Sequence, residues 1–410
     1  MDVNEWDFET QVVHGGRETG PIADPAESRP EGLGMPVAPG IQPSAGFYFD
    51  RLASLDRAFQ DPAAGYVYAR HGGPTGDALG RAVALLERAD GAFPFASGMA
   101  AIHAALLACE VGNGASIVAS RDLYGATQGL LTTVFVASMG AQVRFVDTTD
   151  ISATRQALAE IRPNVLYVET ISNPLMRVAD IPALAAAAQE AGARLVVDNT
   201  FASPYLCRPM ERGADVVLHS ATKYLSGHGD VTAGVVACRS DLLPQLTLVS
   251  RLAGGTLGAF DSWLTLRGLR TLALRLERQS SNALRLAQHL SRHARIGHVH
   301  YPGLACHPQH ELAARLFGDN GFGGMLSFEI DGAGTPEVEH FMDALRLILP
   351  APTMGDVYSL ALYPARASHR GLTPEQRASL GIGDNLVRLS SGVEAIDDLI
   401  ADVDQALATV

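Results

Sequence analysis

Lysine is scarce in this sequence. Of 31 basic residues, 30 are arginine, so a lysine in a patterned neighbourhood asks for an explanation. Lys223 has one, in "HSATKYLSGHGD" at 219–230. Other shortages exclude whole classes of protein. Charged residues are only 18% against 47% hydrophobic, the balance of a folded chain and not of a disordered one. The formal net charge is −13, and no Lys/Arg cluster offsets it, so neither nucleic acid nor an anionic membrane surface is an expected partner. Four scattered cysteines (Cys109, Cys207, Cys238 and Cys306) with no C-x-x-C pair predict reduced thiols, not a disulfide framework. The N-terminal "MDVNEWDFET" lacks the basic-then-apolar pattern of a secretory signal, so a cytoplasmic location is expected. The longest uncharged stretch is the 21 residues between Asp122 and Arg144. Glycines, glutamines and hydroxyl residues interrupt it, which predicts a buried helix with flanking turns and no membrane span. His228, His307, His310 and His369 lack carboxylate or cysteine partners at ligand spacing. They read as solvated or capping residues, and no metal is expected.

A length of 410 residues predicts two or three domains. The first sixty or so residues look irregular, with six prolines in 20–43 suggesting an extended arm or a loop-rich cover. Residues 75–110 look helical. From about Ala115 apolar runs ("ASIVAS", "AQVRFVD", "NVLYVET", "RLVVDNT", "DVVLHS") alternate with helical stretches such as "IPALAAAAQEAG". That alternation predicts a mostly parallel sheet covered on both faces. A long helical stretch around 264–293 then leads into a C-terminal part that mixes the strand "GGMLSFEI" with helices. The expected division is an arm at 1–62, a large domain at 63–257 and a smaller α/β domain at 258–410.

Polar groups collect where the strands end. Glu169 follows "NVLYV", Asp198 follows "RLVV", and Ser220, Thr222 and Lys223 follow "DVVLH". Ligands of α/β sheets sit at the carboxyl ends of the strands. The two hydroxyls and nearby backbone N–H groups could cradle a phosphate. So could "ASGMAAI" at 96–102, a turn opening a helix, although the same pattern also describes a plain helix cap. A lysine partly desolvated beside fixed charge loses its proton more easily, as carbonyl chemistry needs. Asp198 could hold a pyridinium N–H or cap a turn. Tyr124 could stack on an aromatic ring or belong to a core.

Taken in order, "YVYARHGGPT", "FASGMAAI", "DLYGAT", "VETISNP", "VVDNTFASP", "HSATKYLSGHGD", "YPGLACHPQHELA", "GFGGMLSFE" and "VRLSSGVE" resemble the pyridoxal-phosphate (PLP) enzymes of cysteine and methionine metabolism, the trans-sulfuration family. The resemblance runs from about residue 45 to 400. It implies the α/β, aspartate-aminotransferase-like PLP fold type I, with a mostly parallel central sheet and a smaller C-terminal domain. It implies PLP as cofactor and Lys223 as the lysine of the internal aldimine. Ser220, Thr222, Gly98 and Met99 would hold the phosphate, and Tyr68 and Arg70 would come to it from a neighbouring subunit, in a homotetramer built from site-sharing dimers. Asp198 would meet the pyridine nitrogen, Tyr124 would stack on the ring, and Asn173 would lie near its phenolic oxygen. Arg388 would grip the substrate α-carboxylate as a bidentate fork, with Thr353 near the substrate and the lysine. The implied reaction is γ-elimination on a methionine-, homocysteine- or canavanine-like L-amino acid. Lys223 would move protons, and Tyr124 would be the acid for the departing group.

The sequence also departs from the family. Gly73 stands where Asn usually precedes Pro-Thr. In "APTMGDVYSLALYPARASHRG", Thr353-Met354-Gly355 replaces Ser-Leu-Gly, Tyr358 replaces the Glu of cystathionine-handling members, and Tyr363 and Arg370 replace a His and a small residue. Met354 lies where the β-lyases carry Trp, and Ala126 stands where methionine γ-lyases carry Cys. γ-Elimination leads this reading. γ-Replacement, as in O-acylhomoserine sulfhydrylases and cystathionine γ-synthases, is the alternative. β-Elimination and a PLP-binding regulator without turnover come behind.

Overall fold

The computed structural model describes residues 3–17, 37–61 and 64–410. Among the described residues, twelve strands form two sheets. The larger contains β1 (Gly91–Phe95), β2 (Ser116–Ser120), β3 (Gln142–Val146), β4 (Val165–Glu169), β5 (Arg194–Asp198), β6 (Val216–His219) and β7 (Gly234–Cys238), in the order β1-β7-β6-β5-β4-β2-β3. The run β3-β2-β4-β5-β6 is parallel, and β7 pairs antiparallel to both β6 and β1. β4 and β6 are buried at every residue, and β5 between them at all but Arg194, as a sheet covered on both faces requires. That is why they read as continuous apolar runs and not as alternating ones.

The second sheet contains β8 (Ile296–His300), β9 (Met325–Ile330), β10 (Leu349–Pro350), β11 (Leu360–Leu362) and β12 (Leu386–Ser390), in the order β10-β11-β12-β9-β8. It is antiparallel except for the short β10–β11 pair. Its core is closed by Phe328, Phe341 and Leu399.

Several sequence expectations change. The proline-rich stretch falls mostly on 18–36, outside the described residues. Around it the chain forms two helices, α1 (Phe8–His14) and α2 (Leu52–Gln60), so the first sixty residues are not wholly irregular. Residues 75–110 are not one helical block. They fold as α3 (Pro74–Glu87), then β1, then α4 (Gly98–Ala108). The stretch 264–293 spans two helices, Ala259–Leu269 and Leu272–Leu290. The uncharged run 123–143 is not a buried helix. A short α-turn, Gly125–Gly129, continues as a π-helix, Leu130–Ser138, of which only Leu131 and Phe135 are buried. Among the described residues no helix is long and apolar enough to cross a membrane.

Candidate active site

Parallel neighbours bring the ends of β4, β5 and β6 side by side. Glu169 stands in register with Asp198, and Asp198 with Leu218. The turn after β6 then carries Ser220, Thr222 and Lys223, its backbone tied by Lys223 N–H to the Ser220 carbonyl at 3.0 Å. Opposite it, α4 begins. Ser97 caps that helix, its Oγ accepting the Ala100 N–H at 3.1 Å. Gly98 follows at close quarters, since a Cβ there would meet the Ser220 side chain at 2.8 Å. The helix N-terminus and the Ser220 turn therefore form one concave wall. The Thr222 hydroxyl is engaged with the Ala233 backbone, whereas that of Ser220 has no partner among the described residues.

This wall opens on a cavity of about 550 Å³. Gly98, Met99, Tyr124, Asn173, Asp198, Ser220, Thr222, Lys223, Thr353 and Arg388 all line it. The last two come from the second sheet and the loop before it. Lys223 Nζ donates to Thr353 Oγ1 at 2.7 Å. Gly355, at φ +82°, allows that loop to lie against Lys223 and Tyr224, where a Cβ would sit 2.8 Å from the Tyr224 nitrogen. Arg388 donates from Nη1 to Asn173 Oδ1 at 2.8 Å and from Nη2 to the Thr353 carbonyl at 3.1 Å, while its buried Nε has no partner.

Burial sets the charge states. It lowers Lys223 to about 8, with the Arg388 guanidinium adding to the effect and Asp356 opposing it. Arg388 itself falls to about 10, chiefly through burial. Asp198 and Glu169 are both pushed up by burial, and the Asp198 charge raises Glu169 further. Each is held by donors. Asp198 Oδ1 accepts from the Thr200 N–H at 3.0 Å and from its hydroxyl at 2.5 Å. Glu169 Oε1 accepts the Tyr124 N–H at 2.6 Å, which places the tyrosine whose ring faces the cavity and is 44% exposed.

Two expected residues lie elsewhere. Tyr68 and Arg70 are not among the cavity lining. Tyr68 is half exposed, and the Arg70 guanidinium lies over its ring at 5.6 Å and bonds the Arg251 carbonyl. Gly73, at the N-cap of α3, is also outside the lining. Nor do the loop departures all face the site. Tyr358 is exposed away from the lining, and Tyr363 is buried with its hydroxyl on Thr335 and the Asp384 carbonyl. Among the departures, Thr353, Met354 and Arg370 do line the cavity. His307 and His369 are buried, not solvated. Sequence reasoning missed Thr200 and Arg366, both in the lining. The signal for Thr200 was its place two residues after Asp198; for Arg366 it was a second arginine four residues before Arg370.

Comparison with known proteins identifies the family. The sequence pattern of the Cys/Met metabolism PLP-dependent enzymes matches residues 21–408. An L-methionine gamma-lyase of Pseudomonas putida is 40% identical over 402 residues, 98% of this chain and 97% of the relative. A cystathionine gamma-lyase of Bacillus subtilis (strain 168) is 42% identical over 350 residues, 84% of this chain and 89% of the relative. The crystal structure of cystathionine gamma synthase from Xanthomonas oryzae pv. oryzae, in complex with aminoacrylate and cysteine, superposes with a TM-score of 0.88 at 38% identity, covering 98% of each chain. Matched over nearly its whole length in sequence and in structure, the chain belongs to the family of Cys/Met metabolism PLP-dependent enzymes.

Proposed function

We propose that this protein catalyses PLP-dependent γ-elimination on a γ-substituted L-amino acid, with Lys223 as the residue that moves the protons. One observation carries the reading: a partly buried lysine, lowered to about 8 and held on Thr353, shares a cavity with the Asp198 carboxylate and the partly unpaired Arg388.

The residues present fit PLP. The uncommitted Ser220 hydroxyl and the first N–H groups of α4 at Gly98 and Met99 suit a phosphate. Thr222 lies beside them, with its hydroxyl on Ala233. Two adjacent carboxylates that burial drives towards neutrality are relieved by a pyridinium N–H set against Asp198. Tyr124 would cover the ring face, and Asn173 would lie near the ring oxygen. When bound, PLP supplies an electron sink conjugated to the substrate Cα.

This chain's own residues do the rest. Arg388 holds the α-carboxylate with its fork, already aimed by Asn173 and the Thr353 carbonyl. Thr353 Oγ1 holds the Lys223 amine in place. An amine lowered to about 8 is unprotonated far more often at neutrality than an ordinary lysine, so Lys223 can take the Cα proton and then serve the Cβ proton. Tyr124 stands at the open side of the cavity, where it can give a proton to a departing γ-group. Tyr68 and Arg70, remote from their own cavity, are read as a second copy's contribution to the phosphate. That reading goes with a homotetramer of site-sharing dimers, a cytoplasmic location, and the division of the chain at about 62 and 257.

γ-Replacement is the second reading, and the arginines of the 364–370 loop favour it. The test is product analysis of PLP-loaded protein with methionine, homocysteine, cystathionine, canavanine, and O-acetyl- and O-succinylhomoserine, with and without added sulfide or cysteine. A 2-oxo acid and ammonia formed without thiol supports elimination. A new thioether or homocysteine formed only with thiol assigns replacement instead.

A further inference from the structure

The loop 364–370 places two arginines on the cavity, Arg366 and Arg370. The reaction proposed above uses neither, because the α-carboxylate is met by Arg388 beside Asn173 and Thr353. Their attachments differ. Arg366 holds Glu339 through Nε at 3.0 Å, in a pair exposed on both sides. Such pairs hold loosely and can exchange for an incoming anion. Arg370 is exposed, and its guanidinium has no hydrogen-bond or ion-pair partner among the described residues.

The cavity offers these cations no acid. Its carboxylates are Glu169 and Asp198, both buried at strand ends and committed to Tyr124 and Thr200. Leu362, Met354 and Ser368, which share the lining, carry no charge. A cavity with free guanidinium and no free carboxylate draws anions and repels cations.

Resting on the reading of the site as one for γ-substituted amino acids, we infer that Arg370, assisted by Arg366, forms a second anion subsite, and that the γ-substituent taken here ends in an anionic group such as the free carboxylate of a dicarboxylic acid ester. This places homoserine esters of dicarboxylic acids ahead of methionine and homocysteine, whose side chains end neutral. It also places them ahead of canavanine, whose guanidinium would meet Arg370 as a like charge. In such an ester the Cγ–O bond breaks with its electron pair leaving on the acyl carboxylate, a departing group that needs no proton from Tyr124.

Binding and turnover are read separately, on the PLP-loaded full-length protein. L-2-aminoadipate ends its side chain in a carboxylate, its side-chain amide is a neutral isostere, and neither has a leaving group. Their dissociation constants are measured from the change in visible absorption. The acid is expected to bind about tenfold tighter or more. The advantage should shrink with added salt, vanish in R370Q and reverse in R370E. Equal affinity for acid and amide, or a preference unchanged in R370Q and in the R366Q/R370Q double variant, overturns the subsite. O-succinyl- and O-acetyl-L-homoserine are then compared for turnover. Preferential binding of the acid with no γ-product from either ester upholds the subsite and overturns the proposed reaction. γ-Product from both at equal kcat/KM upholds the reaction and overturns the subsite.

Discussion

Lys223 Nζ and Thr353 Oγ1 lie 130 residues apart in sequence and 2.7 Å apart in space. The Thr353 carbonyl also accepts from Arg388 Nη2 at 3.1 Å. One residue thus joins the amine proposed to move protons to the guanidinium proposed to orient substrate, through its side chain to one and its backbone to the other. T353S, which keeps the oxygen, is expected to retain most activity. T353A leaves the amine without its anchor and is expected to lose about 10- to 100-fold in kcat, with KM and the urea midpoint little changed. Steady-state kinetics on both variants check this.

The partly buried amine has a cost that pH should reveal. Lys223 falls from 10.5 to about 8 through burial, then Arg388, against Asp356. Between those values the unfolded chain binds a proton that the folded chain does not, so stability of the PLP-free protein rises with pH across that window. Below about 8 the folded state carries the full penalty, on the order of 3 kcal/mol. PLP-free K223M is therefore expected to be more stable than wild type at pH 7. The two should converge towards pH 10. Urea denaturation at both pH values measures the difference.

Asp198 and Glu169 stand in register on neighbouring strands but serve different neighbours. D198N keeps the shape and removes the charge that would face a pyridinium. It is expected to bind PLP and to lose a hundredfold or more in kcat. Glu169 acts on Tyr124 through the 2.6 Å bond to its N–H. E169Q retains an acceptor oxygen and should lose little activity, whereas E169L should lose about tenfold or more. Kinetics together with PLP titration separate the two effects.

Behind the site, one buried oxygen ties two strand ends. Glu87 Oε1 accepts from Asn199 Nδ2 at 2.9 Å and contacts His219 Nε2 at 2.7 Å. Asn199 follows Asp198, and His219 precedes Ser220. E87L leaves the His219 ring without a partner in the interior and removes one of the two acceptors of Asn199 Nδ2, which keeps the Cys207 carbonyl; it is expected to cost about 3–5 kcal/mol. E87Q should cost about 1–3 kcal/mol. PLP affinity should fall in the same order, because the residues displaced adjoin Asp198 and Ser220. Urea unfolding and PLP titration test both.

Much of this was legible in the sequence. β4, β5 and β6 announced themselves as apolar runs ending in Glu169, Asp198 and the Ser220–Lys223 turn, because a doubly covered parallel sheet leaves no polar face to disguise it. β1 was hidden. "GAFPF" contains Gly91 and Pro94 and no β-branched residue, and it is a strand because it pairs antiparallel with β7. The run 123–143 misleads because its middle folds as a π-helix of which only Leu131 and Phe135 are buried. Within the loop 353–370 there is little regular period to say which side chains face inward. Tyr358 and Tyr363 were therefore taken with Arg370, and Arg366 was passed over. Tyr68 and Arg70, which the family resemblance gives to a neighbouring subunit's site, lie outside the lining of their own chain's cavity.

The most direct test of the central claim follows hydrogens. PLP-loaded protein is incubated in D₂O with L-norleucine, a linear amino acid without a leaving group, and NMR records exchange at Cα and Cβ. γ-Elimination by Lys223 predicts deuterium at both carbons in the wild type and at neither in K223A. Exchange at Cα alone, or equal exchange in K223A, would contradict it.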